Sequence, residues 1–207
     1  PLLLLIVADL LVGGGVYVYQ NNRKSEPIAD TQANSTVIKI PLIGNEGVTA
    51  RFFSIPMADE NTLRKARETG ELVGCGSKIV YISKDVGGTT QPLTAAYKEL
   101  FATKESIFHE GEQLTNPIAG QAKDRTLTYE RGSTSVFKAL RFVKAEIQNS
   151  VAKVYLEGDL LSNECNDPNV EAQINFTAKQ FPNITEVKTY LNGKEFDWRT
   201  WSNQKGS

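Results

Sequence analysis

The chain has 207 residues, 40% of them hydrophobic, with 23 Lys+Arg against 24 Asp+Glu, which suits one domain with an ordinary core and leaves no room for two large ones. Beyond the first 35 residues the positive and negative charges balance at 21 each, whereas nucleic-acid binders carry a basic excess, so no nucleic-acid partner is expected. One His, two Cys and one Met leave few metal ligands or nucleophiles, and no catalytic residue, cofactor or metal site is expected.

Residues Leu2 to Tyr19 form an apolar run whose only charge is Asp9, close to the ~20 residues that cross a bilayer core as a helix. A signal peptide would have a shorter apolar region and a small-residue cleavage site, and a lipoprotein a Cys at its end. The expectation is a transmembrane signal anchor over residues 1–20, weakened by Asp9 and by Gly13-Gly14-Gly15. Arg23 and Lys24 argue for a cytoplasmic body. Cys75 and Cys165, each in polar, turn-rich sequence, argue for an exported one, because two such cysteines fit a structural disulfide in an oxidising compartment. The alternatives are two unpaired core thiols or a catalytic or metal-binding pair.

Residues 21–36 are polar and lack apolar periodicity, as a linker would, and the domain is expected over 37–207 with its core at 50–198. Val37 to Ile43, Ala50 to Ile55 and Lys78 to Ser83 are β-prone, and the charged stretch Asp59 to Thr69 is a short exposed helix. Thr89-Thr90-Gln91-Pro92 combines a hydroxyl cap with a first-turn proline, after which Leu93, Tyr97, Leu100 and Phe101 share one helix face. Thr103 to Ser133 turns polar and glycine-bearing, which predicts a long loop with at most brief helix.

Phe142 to Gln148 and Val151 to Leu156 alternate as hairpin strands across Asn149-Ser150, with Val143, Ala145 and Ile147 expected on the inner face of the first. Asp167-Pro168 opens a second helix marked by Val170, Ile174, Thr177 and Phe181 and stopped by Pro182. Val187, Thr189 and Leu191 make a closing strand ended by Asn192-Gly193. The order β-α-β-β-α-β predicts an α+β two-layer sandwich, with two helices on one face of a small, mostly antiparallel sheet.

The stretch Lys78 to Trp198 resembles the GerMN domain, named for the spore germination and sporulation protein GerM. The resemblance is carried by the strand before the helix Thr89-Thr90-Gln91-Pro92-Leu93-Thr94-Ala95-Ala96-Tyr97-Lys98-Glu99-Leu100 and by the hairpin end Ala152-Lys153-Val154-Tyr155-Leu156. Its most specific part is the late block: Val170-Glu171-Ala172-Gln173-Ile174, then Phe181-Pro182-Asn183-Ile184-Thr185-Glu186-Val187 and Leu191-Asn192-Gly193-Lys194. What the resemblance implies is a fold similar to ring-building motifs and a role in envelope complexes on the outer side of the bacterial cytoplasmic membrane. The family has no known catalytic residues to carry over. Between Thr103 and Leu140 this chain is longer than its relatives, and Cys75 and Cys165 look like the paired cysteines of a subset of them.

A Cys75–Cys165 bridge would enclose a loop of about 90 residues, worth roughly 4 to 5 kcal/mol in the loop-entropy model. Glu105 and His109 would stand one turn apart if helical, a spacing that metal sites use, but no second His or thiol cluster supports them. Tyr190, Phe196, Trp198 and Trp201 gather near the C-terminus and read either as core or as a partner patch. The expectation is therefore a membrane-anchored, non-catalytic interaction or scaffold module of the envelope. It would bind a protein partner, itself or peptidoglycan through a sheet edge or the 103–133 loop. The alternatives are a small-ligand or glycan-binding domain using that loop, and a hydrolase with an unrecognised carboxylate site.

Overall fold

In the computed structural model, which describes residues 35–44, 60–129, 132–161 and 166–203, the first element is strand β1, Val37–Gly44. Ile38, Ile40 and Leu42 alternate along it and are buried, as a period of two requires for one face of a strand. β1 pairs antiparallel along its whole length with β2, Lys78–Asp85, from Val37↔Asp85 to Gly44↔Lys78. Among the described residues, its other side meets a neighbouring strand only at Ile43↔Thr115. The free part of that side is closed by two glutamines instead. Gln180 accepts the Lys39 N–H (2.7 Å) and donates to the Lys39 carbonyl (2.9 Å), and Gln173 Nε2 donates to the Pro41 carbonyl (2.9 Å). Pro41 has no N–H to satisfy, so an acceptor-only position suits it.

Helix α1, Glu60–Thr69, is exposed apart from the buried Ala66 and the half-buried Leu63, which join Leu72 in a small satellite cluster. Helix α2, Pro92–Ala102, starts with proline at its first turn and buries Leu93, Ala96, Tyr97 and Leu100. The expected hydroxyl cap takes another form: Thr89 Oγ1 accepts the Gln91 N–H (3.0 Å) in the turn before the helix, and no side chain caps α2.

The expected long loop from 103 to 133 is largely structured. It contains β3 (Ser106–His109), β4 (Glu112–Thr115), α3 (Pro117–Gln121) and β5 (Arg125–Thr128), and β5 pairs with β6 (Thr134–Phe137). The β3–β4 turn is made by Glu110 and Gly111, both at positive φ, the geometry of a two-residue hairpin. Leu114 and Ile118 from this segment are fully buried. Four-residue strands are too short to show a period, and β5 has no buried residue at all.

β7 (Arg141–Gln148) and β8 (Val151–Glu157) form the predicted hairpin, with Asn149 and Ser150 both at positive φ. A bulge interrupts their register between Phe142 and Lys144, and Val143 and Ile147 are exposed rather than half-buried. Helix α4, Asn166–Lys179, buries Val170, Ile174 and Thr177 but ends before Phe181, whose N–H donates to the Ala178 carbonyl (3.0 Å) in the turn that follows, and leads to β9, Glu186–Leu191, which lies parallel to β8. Asn192-Gly193 does not end the sheet but turns into β10, Lys194–Phe196, followed by α5, Trp198–Asn203.

Among the described residues the fold is thus α+β, with five α-helices and mostly antiparallel strands. The single expected sheet is instead two four-stranded sheets, ordered β2-β1-β4-β3 and β10-β9-β8-β7, plus the two-stranded β5-β6. β2 leaves the sheet of β7 to β9 because β1 pairs with it over eight residues. Helices α2 and α4 contact each other and reach both sheets, α2 touching β1 and β7 and α4 touching β1 and β9. One core cluster accordingly runs from β1 through both helices to β8. Within it Tyr97 stacks on Phe142 (5.3 Å between centroids) and its hydroxyl donates to the Ile174 carbonyl (2.7 Å).

The expected anchor, residues 1–20, most of the linker and the strand Ala50 to Ile55 lie outside the described residues. Among those described, no helix is long and apolar enough to cross a membrane.

Candidate functional site

Cys75 is exposed, at positive φ between Gly74 and Gly76 in a single 3-10 turn that packs against α4. It is disulfide-bonded. Cys165, the other cysteine of the chain, lies outside the described residues.

The late aromatic residues divide between two places. Phe196, Trp198 and Trp201 form an edge-to-face group with centroids 4.9 to 5.8 Å apart. Trp198 is buried and its Nε1–H donates to Thr189 Oγ1 (3.1 Å). Tyr190 is not part of this group: successive strand residues face opposite ways, so with Thr189 inward Tyr190 stands on the outer face. There it stacks on Tyr155 (4.8 Å), over whose ring the Lys144 ammonium sits at 4.6 Å.

Glu105 and His109 do not form the helical pair that the spacing would allow, because His109 ends strand β3. Glu105 instead pairs with Lys123 at 2.7 Å, and that hydrogen bond and charge, with Arg125 beyond, hold its carboxyl below the usual range.

Two open cavities flank the helices. The first, about 580 Å³, lies between α1, the turn at Leu72 to Gly74 and the outer face of α4, with Arg64, Arg67, Lys179 and Arg199 at its polar side and Phe176 among its apolar wall. Glu171 sits in it, and burial raises its pKa above the ordinary carboxylate value, against the lowering effect of Arg199 and Lys179. A carboxylate whose folded pKa is raised contributes stability that is full below its unfolded pKa and lost as pH rises through the folded one. Glu171→Gln should therefore melt above the wild type at pH 7 to 8, and the gap should close toward about pH 4. Melting curves across that range check it, and an equal gap at every pH would contradict it.

The second cavity, about 470 Å³, lies beside α3 and is lined by Glu105, Asn116, Gln121 and Arg125 among others. Its buried amides are committed to the fold. Asn116 Nδ2 donates to the carbonyls of Leu100 (2.9 Å) and Thr103 (3.0 Å), and Gln121 exchanges two hydrogen bonds with the Leu161 backbone. What faces a ligand there is Glu105, already paired with Lys123, and Arg125, whose guanidinium already donates to the Gly120 carbonyl (2.7 Å).

The surface residues that sequence reasoning missed are apolar. Phe108 on β3 is 76% exposed, and Leu127, Tyr129 and Val136 crowd the β5–β6 hairpin, with Val136 71% exposed. Phe108 stands beside Ile107 and Val136 beside Phe137, pairs too short to show an amphipathic period, and the alternation in Thr126-Leu127-Thr128-Tyr129 is the clearest local signal. No protein-family model, curated protein or solved structure matches this chain.

Proposed function

We propose that the chain is a membrane-anchored interaction module of the bacterial envelope, similar to GerMN domains, working on the outer side of the cytoplasmic membrane without catalysis of its own. The observation that carries this is the placement of Phe108, Leu127, Tyr129 and Val136 on two short hairpins, exposed to solvent. An isolated two-stranded hairpin is marginal in water, and one that displays three large apolar side chains is suited to being completed by a partner. The GerMN reading is supported by the order β2, α2, β7, β8, α4, β9, in which β7 to β9 with α2 and α4 keep the expected helix-on-sheet layering. Export is supported by the disulfide at Cys75 and by the apolar run from Leu2 to Tyr19.

The test is photo-crosslinking in the cells of origin, from a probe placed at Phe108, at Val136 or, as a control, at the exposed Lys98 of α2. The hairpin probes are expected to capture a discrete envelope component and the control to capture none. No adduct from either hairpin position, or the same adducts from all three, defeats the proposal. A glycan reading is favoured by the cavity beside α3, which lies in the same segment. It predicts that soluble muropeptides shift the backbone NMR signals of Gly120 and Asn116 while leaving the β5–β6 hairpin unchanged.

With Cys165 as the partner of Cys75, non-reducing mass spectrometry should find the cross-linked peptide pair. Cys75→Ser should then lower stability by roughly 4 kcal/mol in denaturant titrations. A variant as stable as the wild type would mean that the bridge contributes nothing to the fold.

A further inference from the structure

Helix α4 turns Val170, Gln173, Ile174 and Thr177 into the core. Along another side Pro168, Glu171, Ala172, Asn175 and Lys179 recur at spacings of three and four and form one wall of the cavity of about 580 Å³. Arg64, Arg67 and Glu68 of α1, at i, i+3 and i+4, line the same cavity, and Arg199 of α5 joins them. Beyond residue 35 the chain carries 21 positive and 21 negative charges, yet the described residues around this cavity bring four cations and two carboxylates together. Glu68 is taken by Arg64 at 2.6 Å. Arg67 meets Glu60 at 3.9 Å in an exposed pair, which is worth little. Asp197, which lies near Arg199 but outside the lining, is occupied by the Arg199 N–H (3.0 Å) and the Thr200 hydroxyl (2.7 Å) at the start of α5. Within the described lining this leaves Arg67, Lys179 and Arg199 against Glu171, an excess of two positive charges. Leu72, Ala172 and Phe176 supply a buried apolar wall, and the Lys179 ammonium stands 5.8 Å from the centre of the Phe176 ring. The volume is that of a small-molecule site.

We propose that this cavity binds a small organic phosphate, whose charge is held between Arg67, Lys179 and Arg199 and whose apolar body lies on the wall formed by Leu72 and Phe176. A phosphate monoester carries close to two negative charges at neutral pH, which matches the excess of two. Guanidinium groups suit it because they offer paired N–H donors to its oxygens. The three cations come from three helices, so the ligand ties α1, whose apolar contacts are confined to the satellite cluster, to α4 and α5. Glu171 is the group that opposes the ligand. It is half-buried, with Lys179 on its own helix, Arg199 and Asp197 from the start of α5, and Arg64, Arg67 and Glu68 across the cavity on α1. Ionised, it repels a phosphate; protonated, it has an O–H to donate to one. Burial raises its pKa, so the repulsion falls away as the pH is lowered. None of these residues lies on the hairpins that carry the partner surface, so this site and that surface stand or fall separately.

Phenyl phosphate titrated into the isotopically labelled full chain in a non-ionic detergent tests the proposal by NMR. Saturable shifts are expected at residues 64–68, 171–179 and 199, with a dissociation constant of about 1 mM or below. Inorganic phosphate should bind about tenfold more weakly, since it leaves the apolar wall uncovered, and phenol should leave these signals in place. Arg67→Gln and Lys179→Gln, both at exposed positions, should each weaken phenyl phosphate about fivefold. Glu171→Gln should instead tighten it about threefold or more at about pH 8. That advantage should shrink as the pH is lowered and Glu171 of the wild type takes up its proton; comparing the two proteins at each pH cancels the titration of the ligand itself. The absence of saturable shifts, inorganic phosphate as tight as phenyl phosphate, charge variants that bind like the wild type, or no gain from Glu171→Gln at about pH 8 would each overturn the proposal.

Discussion

Gln173→Leu is expected to cost about 4 kcal/mol and to lower the melting temperature by roughly 12 °C. Gln173 is fully buried on α4, and its amide is used up by three groups at once. Nε2 donates to the Pro41 carbonyl of β1 (2.9 Å) and to Asn116 Oδ1 ahead of α3 (3.0 Å), and Oε1 accepts the Ile118 N–H of α3 (3.2 Å). Leucine fills nearly the same volume, so packing changes little and the loss reports the hydrogen bonds. Three buried groups are left without this partner, each costing about 1 to 3 kcal/mol less whatever relaxation recovers. Gln180→Leu is the control. It bonds the Lys39 backbone of the same strand, but at an exposed position where water can replace it, so about 1 kcal/mol or less is expected. Urea titrations of both variants separate the cases; equal losses would mean that the buried amide is no more than a space-filler.

Gln173 also marks where the sequence stops being informative. Val170, Ile174 and Thr177 announce α4 by their spacing, and all three are buried. The polar residue between them has no such signature, because its importance comes from β1 and α3, elements 132 and 55 residues away in the chain. The β7–β8 hairpin was legible since its turn and alternation are local. Its bulge was not, and one inserted residue in the register was enough to move Val143 off the inner face. β1 and β2 were each legible as strands, but their pairing with each other, and hence the division into two sheets, depends on long-range register that no local period encodes. The hairpin surface was hidden for a related reason: strands of four residues, such as β3 and β5, present too few alternations to stand out from a polar loop.

Placing so many short elements in the 103–137 segment has a mechanical consequence. Leu114 and Ile118 anchor it in the core, and the Leu140 N–H donates to the Gln121 carbonyl (2.9 Å), so the fold holds both ends of the β5–β6 hairpin. Ordering already supplied by the scaffold need not be supplied on binding, which suits a hairpin that carries exposed apolar side chains to a partner. The polar outer face of the second sheet is a different kind of surface. Its Lys144, Glu146, Lys188 and Glu195 are paired within the chain and Tyr155 is stacked on Tyr190, so its groups already have partners.

Among the described glycines, Gly158→Ala should be the most damaging alanine change, at about 4 kcal/mol or more. Gly158 follows β8 at φ +112°, and a Cβ there would stand 2.2 Å from the Ala139 carbonyl oxygen and 2.8 Å from its carbon. Neither side of that contact can yield cheaply. The 138–140 backbone is held by Lys138 N–H donating to Asp159 Oδ2 (2.8 Å), by Asp159 N–H donating to the Lys138 carbonyl (3.0 Å) and by Ala139 N–H donating to Asp124 Oδ1 (2.7 Å), and Leu140 is fixed in the core. On the other side, the Asn192 side chain clasps Gly158 with one bond to its N–H (3.0 Å) and one to its carbonyl (2.9 Å). Gly193→Ala isolates the contribution of backbone conformation, since Gly193 also has positive φ (+79°) but meets nothing within 4 Å; about 1 kcal/mol is expected there. The excess of the Gly158 variant over the Gly193 variant in matched denaturant titrations measures the backbone collision. An excess near zero would show that the 138–140 segment can move aside, and with it the approach to β7 that places the second sheet against α2.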